Sequence, residues 1–232
     1  MKSTSEIADG LFTIADMCMV FAVKCPEGVL LIDAGMEKGF GKARETLTAA
    51  GLDMPSHVLM THCHCDHTEA AHLWRGLGAK IVAHKDEADR IENGTASHVP
   101  CPVDIRLCPD QQLDLLGARI GALSCPGHSP GSIAYDITIS GERWLFTGDL
   151  VMLNCCPGWL GQFSLDDSVA SLKKLARLPA DSIATGHSFV RGKGTGLLVD
   201  SLCAAYDGTW HRHFLAHRDS FRDGKIPCAP KG

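Results

Sequence analysis

Four residues able to ligate a metal ion fall within six positions, His62-Cys-His64-Cys-Asp66-His67, directly after the short apolar run His57 to Met60. A bounded apolar run of that length reads as a strand, so the cluster sits where a strand ends and side chains can splay toward a cleft. Three distant segments repeat the theme: Cys-Pro-Gly-His128-Ser-Pro-Gly, Phe-Thr-Gly-Asp149 and Ala-Thr-Gly-His187. Each places one ligand type beside or after a glycine, where the backbone can turn sharply and approach an ion. Neutral imidazole is the common ligand for zinc and iron, and carboxylate completes such a site. One histidine would be explained by a solvated surface position. Seven candidates in four ordered motifs are not: His62, His64, Asp66, His67, His128, Asp149 and His187 are read as one metal centre. These motifs stand at strand ends far apart in the sequence.

The order of elements suits that placement. Leu11 to Ala15, Met19 to Lys24 and Val29 to Asp33 are apolar runs separated by turn residues such as Pro26 and Gly28, and read as a meander. Lys42 to Ala50 reads as a helix that stops at Gly51, Thr68 to Arg75 as a second and Lys85 to Ile91 as a third, with a strand at Lys80 to Ala83. Two hairpin-like pairs follow, Leu113 to Leu123 and Ser132 to Phe146, turning at Gly117 and Gly141. Ser164-Leu-Asp-Asp167 caps a helix with apolar face Leu165, Val169, Leu172 and Leu175. A strand at Ile183 to Thr185 and a helix at Leu197 to Tyr206 come last. The class is α/β: two mixed sheets packed face to face with helices outside, in one domain spanning 1–232.

Composition narrows the function. The net charge of -5, with no block of like charges, argues against a nucleic-acid partner. Met1 to Gly10 is polar and lacks the apolar core of a signal peptide, and Met17 to Val23 is too short to span a membrane, so the expected location is the cytoplasm. Eleven cysteines, an odd number without any Cys-x-x-Cys pair, read as reduced, mostly buried thiols.

With these motifs in place, the chain resembles the metallo-β-lactamase superfamily, in its glyoxalase-II-like hydrolase branch. The resemblance runs from about Leu11 to His187 and includes Leu-Ile-Asp33-Ala-Gly, whose aspartate in that family stands behind a metal ligand. It implies an αββα sandwich in which His62, His64 and His128 hold one divalent ion. Asp66, His67 and His187 hold a second, and Asp149 bridges both. Zinc is the expected metal, with iron or manganese as alternatives. Two such ions can share a water and lower its pKa to about 7, giving hydroxide that attacks a carbonyl centre. Asp66 could orient the nucleophile and pass a proton to the leaving atom. The resemblance thus implies hydrolysis of a small ester, thioester or lactone, with the oligomeric state open and a homodimer included.

Departures from the family patterns sort its members. True β-lactamases of this fold lack an aspartate at the position of Asp149. Acyl-homoserine-lactone lactonases carry a tyrosine shortly after it, and Leu150 to Gly161 has none. Glyoxalase II proper has a helical C-terminal domain for glutathione, whereas 45 residues follow His187 here, so a glutathione thioester is not the expected substrate. Persulfide dioxygenases, mononuclear iron oxidoreductases whose motif also begins His-Cys-His, are the alternative enzyme reading. A non-catalytic metal-binding protein is the third, disfavoured because every ligand position is filled.

Other residues receive plainer readings. Cys63 and Cys65 alternate with the ligands and on an extended backbone would point away from them. Cys155 and Cys156 read as a loop lining. His211, His213 and His217 lack a matching carboxylate and read as a solvated face. His57, His72, His84 and His98 read as structural or exposed. Met152, Trp159, Leu160 and Phe163 are the candidate substrate-pocket wall. Arg191 to Gly196 reads as a turn into the last helix.

Overall fold

The computed structural model of the protein describes residues 4–94, 99–152 and 164–206. One sheet holds seven strands in chain order: β1 (Thr4–Ala8), β2 (Leu11–Ala15), β3 (Met19–Cys25), β4 (Gly28–Ile32), β5 (His57–Leu59), β6 (Lys80–His84) and β7 (Ile105–Leu107). Its first four strands form an antiparallel meander, and β4 through β7 run parallel. Parallel neighbours need crossovers, and these carry α1 (Phe40–Ala49), α2 (Cys65–Thr68), α3 (Ala71–Gly76) and α4 (Lys85–Asn93). The second sheet comprises β8 (Gln111–Leu115), β9 (Ala118–Ser124), β10 (Ile133–Ile139), β11 (Glu142–Gly148), β12 (Ser182–Thr185) and β13 (Phe189–Val190), with spatial order β13-β12-β11-β10-β9-β8. Only β11 and β12 pair in parallel there; α5 (Leu165–Leu175) and α6 (Gly194–Tyr206) cover its outer side.

Three apolar layers hold this four-layer stack together, and the period of two along each strand decides which residue joins which layer. In β4, Leu30 and Ile32 face the second sheet while Leu31 faces the helices; β5 divides the same way, Leu59 inward and Val58 outward. The inner layer is closed by Tyr135, Trp144 and Phe146 from β10 and β11, with Phe21 meeting Phe146 edge-on at 5.4 Å. Over the outer face of the first sheet lie Leu47 of α1, Trp74 of α3 and Ile91 of α4. Leu172, Leu175 and Leu198 cover the second sheet, and Ser164 Oγ accepts the Asp167 N–H as the cap of α5. The expected αββα arrangement is present. No described helix is long and apolar enough to cross a membrane.

One expectation needs correction. The helix expected over Thr68 to Arg75 is broken in two, with α2 starting at Cys65 and α3 at Ala71. The turn after β4 competes for the backbone groups between them: the Ala70 N–H donates to Gly35 O at 2.9 Å and His67 O accepts from Ala34 N–H at 2.7 Å. Helical continuation through Ala70 would need that N–H for Asp66 O. Strands β1, β7 and β13 also lie outside the expected elements. They are short edge strands whose pattern is too brief to read. Trp159, Leu160 and Phe163 of the candidate pocket wall, together with Cys155, Cys156, His98, His211, His213 and His217, lie outside the described residues.

Seven cysteines, Cys18, Cys25, Cys63, Cys65, Cys101, Cys108 and Cys125, are free thiols; five of these are buried, and of the seven Cys108 alone is exposed. Burial pushes Cys25 and Cys101 up to about 11 and Cys125 to about 12. Since the thiolate is the nucleophile, iodoacetamide at pH 8 should alkylate Cys108 of the native protein and spare Cys25, Cys101 and Cys125 until denaturant is added. Site-resolved mass spectrometry reads this directly. Rapid native labelling of the three buried thiols would contradict the packing described.

Candidate metal centre

The parallel run of β4 and β5 and the parallel pair β11 and β12 end at one edge of the sandwich. The turn before β10 reaches the same edge because β10 runs against β11. Asp33 follows β4, His62 follows β5, Asp149 follows β11 and His187 follows β12; His128 lies in the turn before β10. Two cross-links between the sheets fix this edge: Ile133 N–H donates to Thr61 O at 2.8 Å, and Met19 N–H donates to Gly186 O at 2.7 Å.

All seven candidate ligands come together there. Their ligating atoms form three overlapping groups, His62–His64–His128, His62–His67–Asp149 and Asp66–His67–His187, each with its atoms within 4.8 Å of one another. His128 Nε2 lies 2.8 Å from His64 Nδ1. Asp149 stands between the outer groups: Oδ2 is 3.5 Å from His128 Nε2 and 3.3 Å from His187 Nε2, while Oδ1 is 3.5 Å from His67 Nε2. Asp66 Oδ2 is 3.5 Å from His67 Nε2 and 3.6 Å from His187 Nε2.

The partners on the far side of three rings dictate their tautomers. His187 Nδ1 faces the Met17 carbonyl at 3.1 Å, which can only accept, so Nδ1 carries the proton. His67 Nδ1 donates likewise to Asp33 Oδ2 at 2.8 Å. Thr61 Oγ1 spends its one proton on Asp33, 2.9 and 3.1 Å from the two carboxylate oxygens, and therefore accepts from His62 Nδ1 at 3.0 Å. Each ring thus turns an Nε2 lone pair inward. Among these atoms, His62 Nε2, His67 Nε2 and Asp149 Oδ1 are buried with no hydrogen-bond partner, as is His64 Nε2. Buried polar atoms left unpaired cost about 1–3 kcal/mol each. A cluster of lone pairs at one point is what a cation would repay.

The electrostatics agree. Burial, then the neighbouring imidazoles, hold His62 well below its ordinary pKa, and burial with His128 brings His64 down to about 3, so both are neutral donors. Burial opposes charge on His67 as well, yet Asp66, Cys18, Asp33 and Asp149 carry it well above its ordinary value. His187 is raised, against burial, by Asp149; Asp149, against burial, is held well down by His67 and His187. The pocket therefore carries surplus negative potential that favours a cation near His67 and His187.

Three local features make the geometry possible. Asp33 adopts φ +63°, a left-handed conformation that costs a non-glycine residue energy, and the Thr61 N–H, the Thr61 hydroxyl and His67 hold it there. Gly148 has φ +51°, and a Cβ would stand 2.7 Å from the Thr61 side chain. At Gly186 a Cβ would overlap Asp149 Oδ1 and come within 2.7 Å of His67 Cε1. Cys63 is turned away into the core, as expected, and Cys65 opens α2 instead of continuing an extended backbone. His57 pairs with Ser56, His72 with the Glu69 carbonyl, and His84 caps α4 by accepting from Asp86 N–H. Thr61 and the Met17 carbonyl have no role assigned from the sequence. A lone threonine before a ligand run was a weak signal, and a backbone carbonyl gives none.

With that geometry in hand, the similarities to known proteins take on meaning. A sequence profile of the metallo-beta-lactamase superfamily matches residues 14–187. The chain belongs to that superfamily. It is 34% identical over 148 residues to a hydroxyacylglutathione hydrolase of Albidiferax ferrireducens, a match covering 62% of this chain and 53% of the relative. The enzyme of the same name from Ruegeria pomeroyi is 33% identical over 135 residues, 58% of this chain and 49% of the relative. The chain thus spans about half the length of these relatives. Among solved structures, a Cronobacter sakazakii metallo-beta-lactamase with a HARLDQ motif superposes with TM-score 0.77 at 19% identity, covering 93% of this chain and 95% of the other. The subclass B3 enzyme BJP-1 of Bradyrhizobium japonicum gives 0.75 at 21% identity, covering 92% and 96%. At such identities these two likenesses establish the fold.

Gly186→Ala tests the tightest contact of the centre. The added methyl must displace Asp149 or His67, so the variant should keep its far-UV circular dichroism while losing bound metal by elemental analysis. Wild-type metal content in the folded variant would show that this backbone approach does not shape the site.

Proposed function

We propose that this chain is a dinuclear metal-dependent hydrolase, zinc being the expected ion, that cleaves a small-molecule thioester, ester or lactone. The observation that carries the reading is the position of Asp149, facing His128 on one side and His67 and His187 on the other with one oxygen unpaired. His62, His64 and His128 would hold one ion, Asp66, His67 and His187 the other, and Asp149 would touch both. Relatives named for hydrolysis of an acylated glutathione support an acyl substrate and put the thioester first.

The donor set fits two divalent cations, which when bound supply Lewis acidity and bring a coordinated water's pKa toward about 7. The chain's own residues do the rest. Asp33 and Thr61 orient the imidazoles of His67 and His62, and Met17 O orients His187. Of the two site carboxylates, Asp66 is the more exposed, at 15% against 3% for Asp149. It would take the proton of the attacking water and return it to the leaving sulfur or oxygen as the acyl bond breaks. The products are a carboxylic acid and a thiol or alcohol. No side-chain nucleophile is needed.

His187→Ala should remove one ion and leave the other with His62, His64 and His128. Turnover of a thioester or lactone panel should fall on the order of a thousandfold, about 4 kcal/mol of transition-state stabilisation. Asp149→Ala should be worse. Near-native turnover and metal content in His187→Ala, with Asp149→Ala dead and one iron per chain, would replace this reading with the mononuclear oxidoreductase. Robust RNA cleavage without acyl hydrolysis would overturn the substrate class.

Acidification should empty the centre in two steps. His67 and His187 sit above their ordinary pKa and take up protons first as pH falls; His64 resists down to about 3. Ligands must be deprotonated to bind, so the ion beside His67 and His187 should leave at the higher pH. Metal retained after dialysis across a pH series measures this, and simultaneous loss of both ions would contradict the assignment.

A further inference from the structure

Behind the first ligand group lies a buried acid that the proposed chemistry does not use. Glu87, on α4, is 1% exposed. Its Oε1 accepts from the Ser129 hydroxyl at 2.8 Å and from the Gly131 N–H at 2.7 Å. The Ser129 and Ser132 hydroxyls meet at 2.7 Å, and Ser132 Oγ accepts the Ser129 N–H at 3.1 Å. These bonds tie down the turn immediately after His128. The approach is close enough to exclude a side chain: a Cβ at Gly131 would stand 2.7 Å from Glu87 Cγ and 3.0 Å from His84 Nδ1. The Cys63 thiol, between His62 and His64, neighbours the same carboxylate.

Packing α4 against the sheet does not call for an acid. Desolvating a carboxylate is unfavourable, and Ala88 and Ile91 already bury the apolar face of this helix. One oxygen of the acid, Oε1, is matched instead to two donors on one turn, and that turn carries a ligand; Oε2 is buried with no hydrogen-bond partner.

We propose that Glu87 is a positioning residue for the His62–His64–His128 group. It touches the chain on both sides of that group without ligating: at Cys63 on one arm and at Ser129 and Gly131 on the other. It thereby sets the approach of His128 to His64. In the Asp66–His67–His187 group, the two imidazoles are held instead through Asp33 and Met17 O. This role rests on the metal-centre reading above.

The test uses two backgrounds. His187→Ala leaves the first group as the remaining site, and His128→Ala leaves the second. Metal-free protein of each is titrated with Co²⁺ and followed by visible absorption, with circular dichroism as the fold check. Glu87→Gln should weaken Co²⁺ binding about ten- to a hundredfold in the His187→Ala background. It should leave binding unchanged in the His128→Ala background. Ser129→Ala, which removes one donor and keeps the carboxylate, carries the same expectation with a smaller effect. It serves as the test if Glu87→Gln does not fold. Equal weakening in both backgrounds would reduce Glu87 to a general stability residue and overturn the proposal, as would no weakening in either. Failure of the wild-type protein to bind Co²⁺ at all would instead remove the metal centre, and this role with it.

Discussion

The Asp33 carboxylate is the interaction on which the rest of the site depends. It sits where β4 ends, in a strained left-handed conformation, and accepts from the Thr61 backbone, the Thr61 hydroxyl and His67. It therefore ties the ends of two parallel strands and the start of a helix to one buried charge. Through Thr61 it also reaches His62. A buried carboxylate with that many donors resists displacement, because losing any one donor leaves charge uncompensated. The strain at Asp33 persists because its surroundings over-determine it.

From that anchor the centre is built by opposition. Burial alone would make every imidazole here a poor base, and it does so for His62 and His64. Around His67 and His187 the carboxylates win over burial. The two ends of one pocket thus differ in their affinity for positive charge although both are made chiefly of histidine. Placement of Asp66 and Asp149, more than ligand count, sets that difference.

Much of this was legible in the sequence. The strands bearing ligands announced themselves through short apolar runs ending in Thr-His, Thr-Gly-Asp and Thr-Gly-His; the order of elements pointed to two facing sheets with helices outside, and the αββα sandwich came from the resemblance. The histidine run was dense enough that a surface explanation failed. The importance of Asp33 came only from resemblance, since one aspartate after an apolar run has no distinguishing spacing. The break between α2 and α3 was not legible, because it arises where Gly35 O, 35 positions away, takes the Ala70 N–H. Glu87 was hidden in an ordinary amphipathic helix, as its partners lie 42 and 44 residues downstream. Local pattern records periodicity; it does not record which distant backbone will claim a donor.

The ligands are divided between the two sheets: His62, His64, Asp66 and His67 follow a strand of the first, while His128, Asp149 and His187 adjoin strands of the second. No half of the chain holds a complete donor group around Asp149. An ion bound there would act as a clasp across the inner apolar layer, its binding energy adding to the cohesion of the two halves. A sandwich closed one residue out of register would present its histidines to the wrong face. Such a chain could neither gather the donor groups at one edge nor gain the stability that a bound ion would add.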